Sequence, residues 1–482
     1  MKQKKNNYLI KPVFYLVGSL MLSGCQSLVW PDYLRPKVDT PDRYVEMSQD
    51  AAQNQIAKDW WTLYQDETLN TLIANALKHN TDIKVAVANI EQADAVMKEA
   101  GTLLFPSVDL DAGGARSRVT EAGAFPVFAD NPRESYNFKL GTNFELDFWG
   151  KLSRTKESAR ASALSTRYAK DTVELSLTGL VANQYLSLRS LEKQIQIAEQ
   201  NLVSRDESLA LTKRRLEGGI VSALDVYQAE AASANLRAQI SALKLLQSLS
   251  LNQLALLTGD LNLAVSGLDR AKAHADMMAL PIPPVPPIGL PSSLLESRPD
   301  VRQAEAQMVA ANANIAVAKA ALYPSISLTA NWGGESLELQ DVLKSAARIW
   351  TGGLSLNLPI FNGGRLNARV DQEAAKQKKT LATYERTIQT AFTEVNDALI
   401  NLRQQTQREQ SLLTSQDSAK KMLTLSENRY QSGYSAYIEV LDAQRTYNEA
   451  SLAFVQARQA RLSASVDLFK VLGGGWQAAE VD

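Results

Sequence analysis

The chain has 482 residues, 45% hydrophobic and 21% charged, which excludes a disordered polypeptide. Its 51 basic and 52 acidic side chains leave a net charge of -1, without the basic excess of a nucleic-acid-binding protein. One cysteine, Cys25, and two histidines, His79 and His274, exclude an intrachain disulfide and a zinc site built from His and Cys.

Residues 1–24 read as a signal peptide. Lys2, Lys4, Lys5 and Lys11 make a basic start, and Val13 to Leu22 is an apolar run too short to cross a bilayer. Leu22-Ser23-Gly24-Cys25 resembles the lipobox of bacterial lipoproteins, which predicts a covalent lipid on Cys25 as the only non-protein group. A free thiol beside an ordinary cleavage site is the alternative. Gln26 stands where an Asp commonly marks inner-membrane retention, so the outer membrane is favoured. No later segment is expected to be a transmembrane helix.

Residues 25–79 form an N-terminal segment with one helix. Residues 80–258 and 298–472 then read as two copies of one unit. Asn80 to Leu110 aligns without gaps to Arg298 to Leu328, with Phe105-Pro106-Ser107 on Tyr323-Pro324-Ser325. Arg215 to Glu230, "RLEGGIVSALDVYQAE", aligns with Arg429 to Gln444, "RYQSGYSAYIEVLDAQ". A spacing of about two hundred residues is a duplicated domain-sized unit, not a solenoid repeat.

Each unit predicts a helix, two strands, a very long helix, a glycine turn and a partner helix. The strands are expected at about 107–118 and 136–148, then 325–333 and 349–360. Tyr136, Phe138, Leu140, Phe144 and Leu146 alternate with Asn137, Lys139, Asn143 and Glu145. Alternation with aromatics near the ends is the pattern of membrane barrel strands, although a sheet half-buried under helices gives it too. Long helices are expected at 151–217 and 364–432. The first carries Val181, Leu188, Ile195, Leu202, Leu209 and Leu216 at seven-residue spacing, the mark of a helix packed along its length. Partner helices follow at 220–258 and 435–472, with a linker at 259–297 and a tail at 473–482. Four strands cannot close a barrel, and lipid does not tolerate an open edge. Several chains must then share one barrel, and three would supply about twelve strands.

"WWTLYQDETLNTLIANALKHNTDI" (Trp60 to Ile83), "SRPDVRQAEAQ" (Ser297 to Gln307), "LYPSISL" (Leu322 to Leu328), "LPIFNGGR" (Leu358 to Arg365), the two glycine turns and "LGGGW" (Leu472 to Trp476) resemble, in order, the TolC family in its lipoprotein branch. These are the outer-membrane factors of tripartite efflux systems. The resemblance implies a mainly helical homotrimer: a twelve-stranded membrane β-barrel on a twelve-helix periplasmic barrel, with a mixed equatorial collar. It implies as partners a periplasmic membrane-fusion adaptor, an inner-membrane RND-type transporter and outer-membrane lipid, and no enzymatic activity. Small toxic compounds are the expected cargo. A type I protein-secretion duct and a pore-free, lipid-anchored coiled-coil scaffold remain alternatives.

The same resemblance puts the glycine turns at the periplasmic tips. Arg215, Gly219, Ser222, Leu224 and Val226, with Arg429, Gly433, Tyr434, Ile438 and Val440, become expected adaptor contacts. Glu439 and Asp442 match the acidic positions of the periplasmic gate. Ile438 adds an apolar constriction, Arg445 pairs with Asp442 one helical turn away, and Tyr430 matches a tyrosine that holds the closed state. Ser435 stands where some relatives carry a closing arginine. The first repeat has Asp225 and Gln228 at the positions of Glu439 and Asp442.

Overall fold

The computed structural model describes residues 33–38, 41, 43–44, 56–122, 131–268, 276–286 and 294–477. The signal peptide, Cys25, His274, residues 287–291 of the Pro-rich link and residues 478–482 lie outside the described residues.

In chain order come helices α1 (Glu67–His79) and α2 (Thr81–Thr102), strands β1 (Ser107–Ser117) and β2 (Arg133–Leu146), and helices α3 (Lys151–Glu217) and α4 (Ala223–Thr258). After the link follow α5 (Pro299–Ala320), β3 (Ser325–Ser336), β4 (Arg348–Asn357), α6 (Arg365–Gln431) and α7 (Tyr437–Val471). The order helix, strand, strand, long helix, helix therefore occurs twice.

The ends of these elements differ from the expected bounds for local reasons. β2 starts at Arg133 because Arg133 to Ser135 continue the ladder opposite Ser117 to Ala115. It stops at Leu146 because Asp147 turns to cap α3, its carboxylate accepting the Leu152 and Ser153 amides at 2.8 Å each. β4 stops at Asn357, just before Pro359, whose ring nitrogen has no hydrogen to donate.

The chain divides into two compact units, and α2, α3, α5 and α6 each contribute to both. The described residues of the first are 33–37, 90–122, 131–165 and 304–383. Its strands form one antiparallel sheet in the order β1-β2-β3-β4. The register brings like residues together. Leu110, Leu140, Trp332 and Trp350 form one row across all four strands, and Phe144, Leu328 and Leu354 another. On the opposite face, Asp109-Gly141-Asn331-Thr351 runs between them and Glu145-Ser327-Ser355 lies just beyond the second. The apolar rows are not covered: Trp350 is 79% exposed, Leu354 69% and Leu110 57%. Neither β1 nor β4 has a second strand partner among the described residues. Below the sheet, Trp149 stacks on Tyr323 at 5.1 Å and donates to the Pro324 carbonyl at 2.6 Å, tying the β2–α3 connection to the α5–β3 connection. Here α5 buries Ala304, Ala306, Ala310, Ala313 and Ala316, and the Ser158 hydroxyl on α3 donates to the Ala310 carbonyl. Side chains this small let two helices approach closely.

The second unit holds residues 38–89, 166–303 and 384–482. Its core joins Trp60 and Tyr64 to Leu69 and Ile73 of α1, Val181, Tyr185 and Leu188 of α3, Leu254 of α4 and Leu462, Val466 and Phe469 of α7. Trp60 stacks on Phe469 at 5.3 Å. Asp66, 4% exposed, caps α1 by accepting the Thr68 and Leu69 amides, and also accepts the Tyr185 hydroxyl at 2.6 Å. Arg298 of the "SRPDV" stretch, 8% exposed, is held by both Asp300 oxygens, by Glu394 and by the Val471 carbonyl. Its charge is buried but fully paired, and removing both carboxylates would leave it uncompensated at a cost of several kcal/mol. The "LGGGW" ending proves to be a backbone passage. Gly473, Gly474 and Gly475 all have positive φ, and a Cβ at 473 would stand 1.9 Å from the Ser297 carbonyl oxygen.

Two expectations about the helices need correction. The heptad seam of α3 is buried at Val181, Leu188 and Ile195 but opens towards the turn, where Leu216 is 37% exposed. Against the expectation of no further membrane-length helix, α4 is long and apolar enough to cross a bilayer, at mean hydropathy 1.2. Its apolar residues are shared between the buried core, through Leu236, Ile240 and Leu254, and an exposed stripe of Leu245, Leu246 and Leu249.

Candidate functional site

The two glycine turns lie in the second unit. Both end their long helix in the same way. The Ile220 amide bonds back to the Arg215 carbonyl at 2.8 Å and that of Gly219 to Leu216 at 2.9 Å; Tyr434 to Arg429 and Gly433 to Tyr430 repeat this at 2.8 and 3.1 Å. This is the Schellman ending, which needs a left-handed residue before the last donor. Gly219 and Gly433 supply it at φ +71° and +78°. No atom lies within 4 Å of a Cβ built at either. Glycine is required here by the backbone angle alone, and the open space beside it is free for a partner.

The tips meet in a small aromatic cluster. Tyr430, Tyr437 and Val440 of the second repeat pack with Ala229 of the first, backed by Leu209, Leu211 and Leu441. The Tyr430 and Tyr437 rings lie 5.3 Å apart, and the Arg215 guanidinium sits 4.5 Å from the Tyr430 ring centre. That is a cation–π contact between repeats. Burial, and then the neighbouring Tyr430, push the Tyr437 phenol up to about 12, against a hydrogen bond with Thr212. The Tyr437 ring therefore stays neutral in the physiological range, and Arg215 brings a charge against the Tyr430 ring. At the arginine position of some relatives, the buried Ser435 hydroxyl makes no hydrogen bond among the described residues; Arg215 approaches Tyr430 instead.

The acidic residues sit on the same tip but point away from this cluster. Ile438 is 55% exposed. Glu439 lies 3.7 Å from Arg429, and Asp442 is bonded to Arg445 at 2.8 Å, all four side chains about half exposed or more. Ile438, Glu439, Asp442 and Arg445 line one wall of a groove of about 660 Å³, opposite Leu236 and Gln239 of α4 and Arg205 of α3. Burial lowers the Arg205 guanidinium from its usual value, and it donates to the Ala232 carbonyl at 2.9 Å. Deeper along α6, burial pushes the Glu427 carboxyl upward, against a hydrogen bond from Gln444.

The first-repeat tip differs in one respect. Asp225 Oδ2 accepts both the Ser222 amide and the Ser222 hydroxyl at 3.1 Å each, and the Asp225 amide bonds to the Ser222 carbonyl at 3.2 Å. Asp225 is thus consumed by its own helix. The matching residue before α7 is Ala436, which has no hydroxyl to offer Glu439, although the Glu439 amide bonds to the Ala436 carbonyl at the same 3.2 Å.

The expected docking residues separate by burial. Leu224 and Tyr434 are 63% and 79% exposed, whereas Val226 and Val440 are 7% and 2% exposed and offer no surface. They line the inside of the turn. Ile220 and Tyr227, 73% and 68% exposed, extend the outer surface and were not singled out from sequence. The alignment carried the signal for Ile220, since it follows Gly219 as Tyr434 follows Gly433.

A family model described as "outer membrane efflux protein" matches residues 72–260 and 290–474. The chain is 33% identical over 477 residues to the pyoverdine export outer membrane protein OpmQ of Pseudomonas aeruginosa, covering 97% of this chain and 98% of that one. It is 33% identical to the toluene efflux pump outer membrane protein TtgC of Pseudomonas putida, over 95% and 94% of the two chains. Among solved structures, the CmeC outer membrane channel of Campylobacter jejuni superposes with a TM-score of 0.87 at 24% identity, covering 94% of this chain and 96% of that chain.

Proposed function

The chain belongs to the outer membrane efflux protein family and is an outer-membrane efflux channel, and from that premise we propose how it is assembled and gated. Three copies close one barrel of twelve strands, β4 of each pairing with β1 of the next, with the apolar rows outward and the polar rows lining the lumen. The observation that carries this is the sheet: its apolar rows are uncovered and, among the described residues, both its edges are unpaired. In lipid the unmade backbone bonds of such an edge would each cost several kcal/mol. Water excludes the exposed apolar face just as strongly, since Trp350 and Leu354 would forfeit their burial. Closure with further copies inside a membrane satisfies both demands.

Glu439 and Asp442 form the gate. Threefold symmetry brings three copies of each carboxylate towards the axis, where they repel one another and attract cations. An adaptor binds the exposed residues around Gly219 and Gly433 and draws the second-repeat tips outward, and an inner-membrane RND-type transporter supplies the energy. Cys25 carries the lipid anchor. The cargo is small molecules, as the pyoverdine-export and toluene-efflux relatives suggest, rather than proteins.

Planar bilayers test the assembly. The purified protein is expected to give discrete single-channel steps of one unit size. A membrane that binds the protein and stays electrically silent would favour the pore-free scaffold.

A further inference from the structure

The two tips are built alike up to the glycine and differ immediately after it, and we propose that this difference, Ala436 in place of Ser222, decides which tip moves and frees the gate carboxylate. The inference rests on the gate reading above. Up to Gly219 and Gly433 both turns carry the same pair of Schellman bonds, within 0.2 Å of each other. The partner helices then begin at equivalent positions, with Asp225 and Glu439 each three residues into the helix.

At the first tip the box closes. The Ser222 amide and the Ser222 hydroxyl both donate to Asp225 Oδ2 at 3.1 Å. One amide donor that a helix start leaves unpaired is satisfied, and the carboxylate is held against its own helix end by two bonds. At the second tip a methyl group replaces the hydroxyl. Ala436 has extended backbone angles, φ -78° and ψ 155°, close to the -85° and 158° of Ser222, so the backbone is already shaped for a cap that the side chain cannot make. Glu439 is left without its reciprocal partner and lies instead 3.7 Å from Arg429 across the turn. That contact is long and half exposed, so the carboxylate is available to an incoming cation.

Ala436 is therefore a positioning residue. An N-cap of this kind shifts a local equilibrium by about fivefold at each tip. The first-repeat tip starts with that advantage and stays in place. The second-repeat tip lacks it and opens first. The acidic residue belongs to the gate on the side where the cap is missing, because a capped acid is already occupied.

The test uses the full-length channel in planar bilayers, with Mg²⁺ as the blocking cation and hydrogen exchange on the same samples. Ala436→Ser is expected to give Glu439 a hydroxyl partner, raise the Mg²⁺ concentration for half block about fivefold, and slow exchange of the amide at position 436. Ala436→Val adds no hydroxyl and is expected to leave block unchanged. Ser222→Ala is expected to speed exchange at position 222 without altering block. An Ala436→Ser channel with slowed exchange but unaltered block would overturn the proposal, as would one whose amide at position 436 exchanges as before. Glu439→Ala runs alongside: if it too leaves block unchanged, the gate assignment itself has failed, whereas loss of block there with none in Ala436→Ser rejects the cap alone.

Discussion

Arginine at position 354 is expected to abolish insertion of the channel into the outer membrane, while arginine at position 351 on the same strand is expected to be tolerated. Leu354 lies in the row Phe144-Leu328-Leu354, on the face we place against lipid. A charged residue there costs about 2–4 kcal/mol per copy near the bilayer midplane. Three symmetry-related copies would multiply the penalty, because the sites are far enough apart to add. Thr351 lies in the row Asp109-Gly141-Asn331-Thr351, on the opposite face. An arginine there would stand in the water-filled lumen beside Asn331, changing ion selectivity rather than insertion. Heat-modifiable mobility of the membrane fraction reads the first effect, and reversal potential in a salt gradient reads the second. Equal tolerance at both positions would mean that neither face meets lipid.

Removing both gate carboxylates has the second largest expected effect. In Glu439→Ala with Asp442→Ala, half block by Mg²⁺ or Co²⁺ added on the periplasmic side is expected to need at least about tenfold more cation. Each single variant should fall between, with Asp442→Ala the milder. Asp442 is already engaged at 2.8 Å by Arg445, whereas Glu439 has only the 3.7 Å contact with Arg429. Removing Asp442 also releases Arg445 to repel cations, so part of its effect is electrostatic rather than loss of a ligand. The aromatic cluster of Tyr430 and Tyr437 faces the other way and is expected to survive both changes, so thermal unfolding should be nearly unaltered. Unchanged block in the double variant would remove these residues from the gate.

What could be read from the sequence divides along the range of the interactions. The strands were legible because alternation with period two depends on local chain geometry, and Tyr136 to Leu146 carries it without interruption. The turns were legible because the chain offers its own internal comparison. The triple glycine was recognised only as a family mark, because its reason lies in Ser297, Leu175 and residues 56–57, far away in sequence. Asp66 carried no warning that it also holds Tyr185, 119 residues away. The tip valines misled for a similar reason. Val226 and Val440 align with each other in the internal repeat, but which side of a turn faces inward is set by the helices it packs against. The different fates of Asp225 and Glu439, by contrast, were within reach. Ser222 to Asp225 resembles a capping box and Ala436 to Glu439 does not, so the pattern alone separates a caged acid from a free one.

Closure by further copies of the chain is what the channel requires before anything else. The direct measurement is the mass of the purified, detergent-solubilised protein by light scattering corrected for bound detergent. Three times the mass of the mature chain is the predicted result. A stable monomer with its sheet edges protected from hydrogen exchange would contradict it, because a single chain would then have satisfied β1 and β4 by itself and no shared barrel would exist.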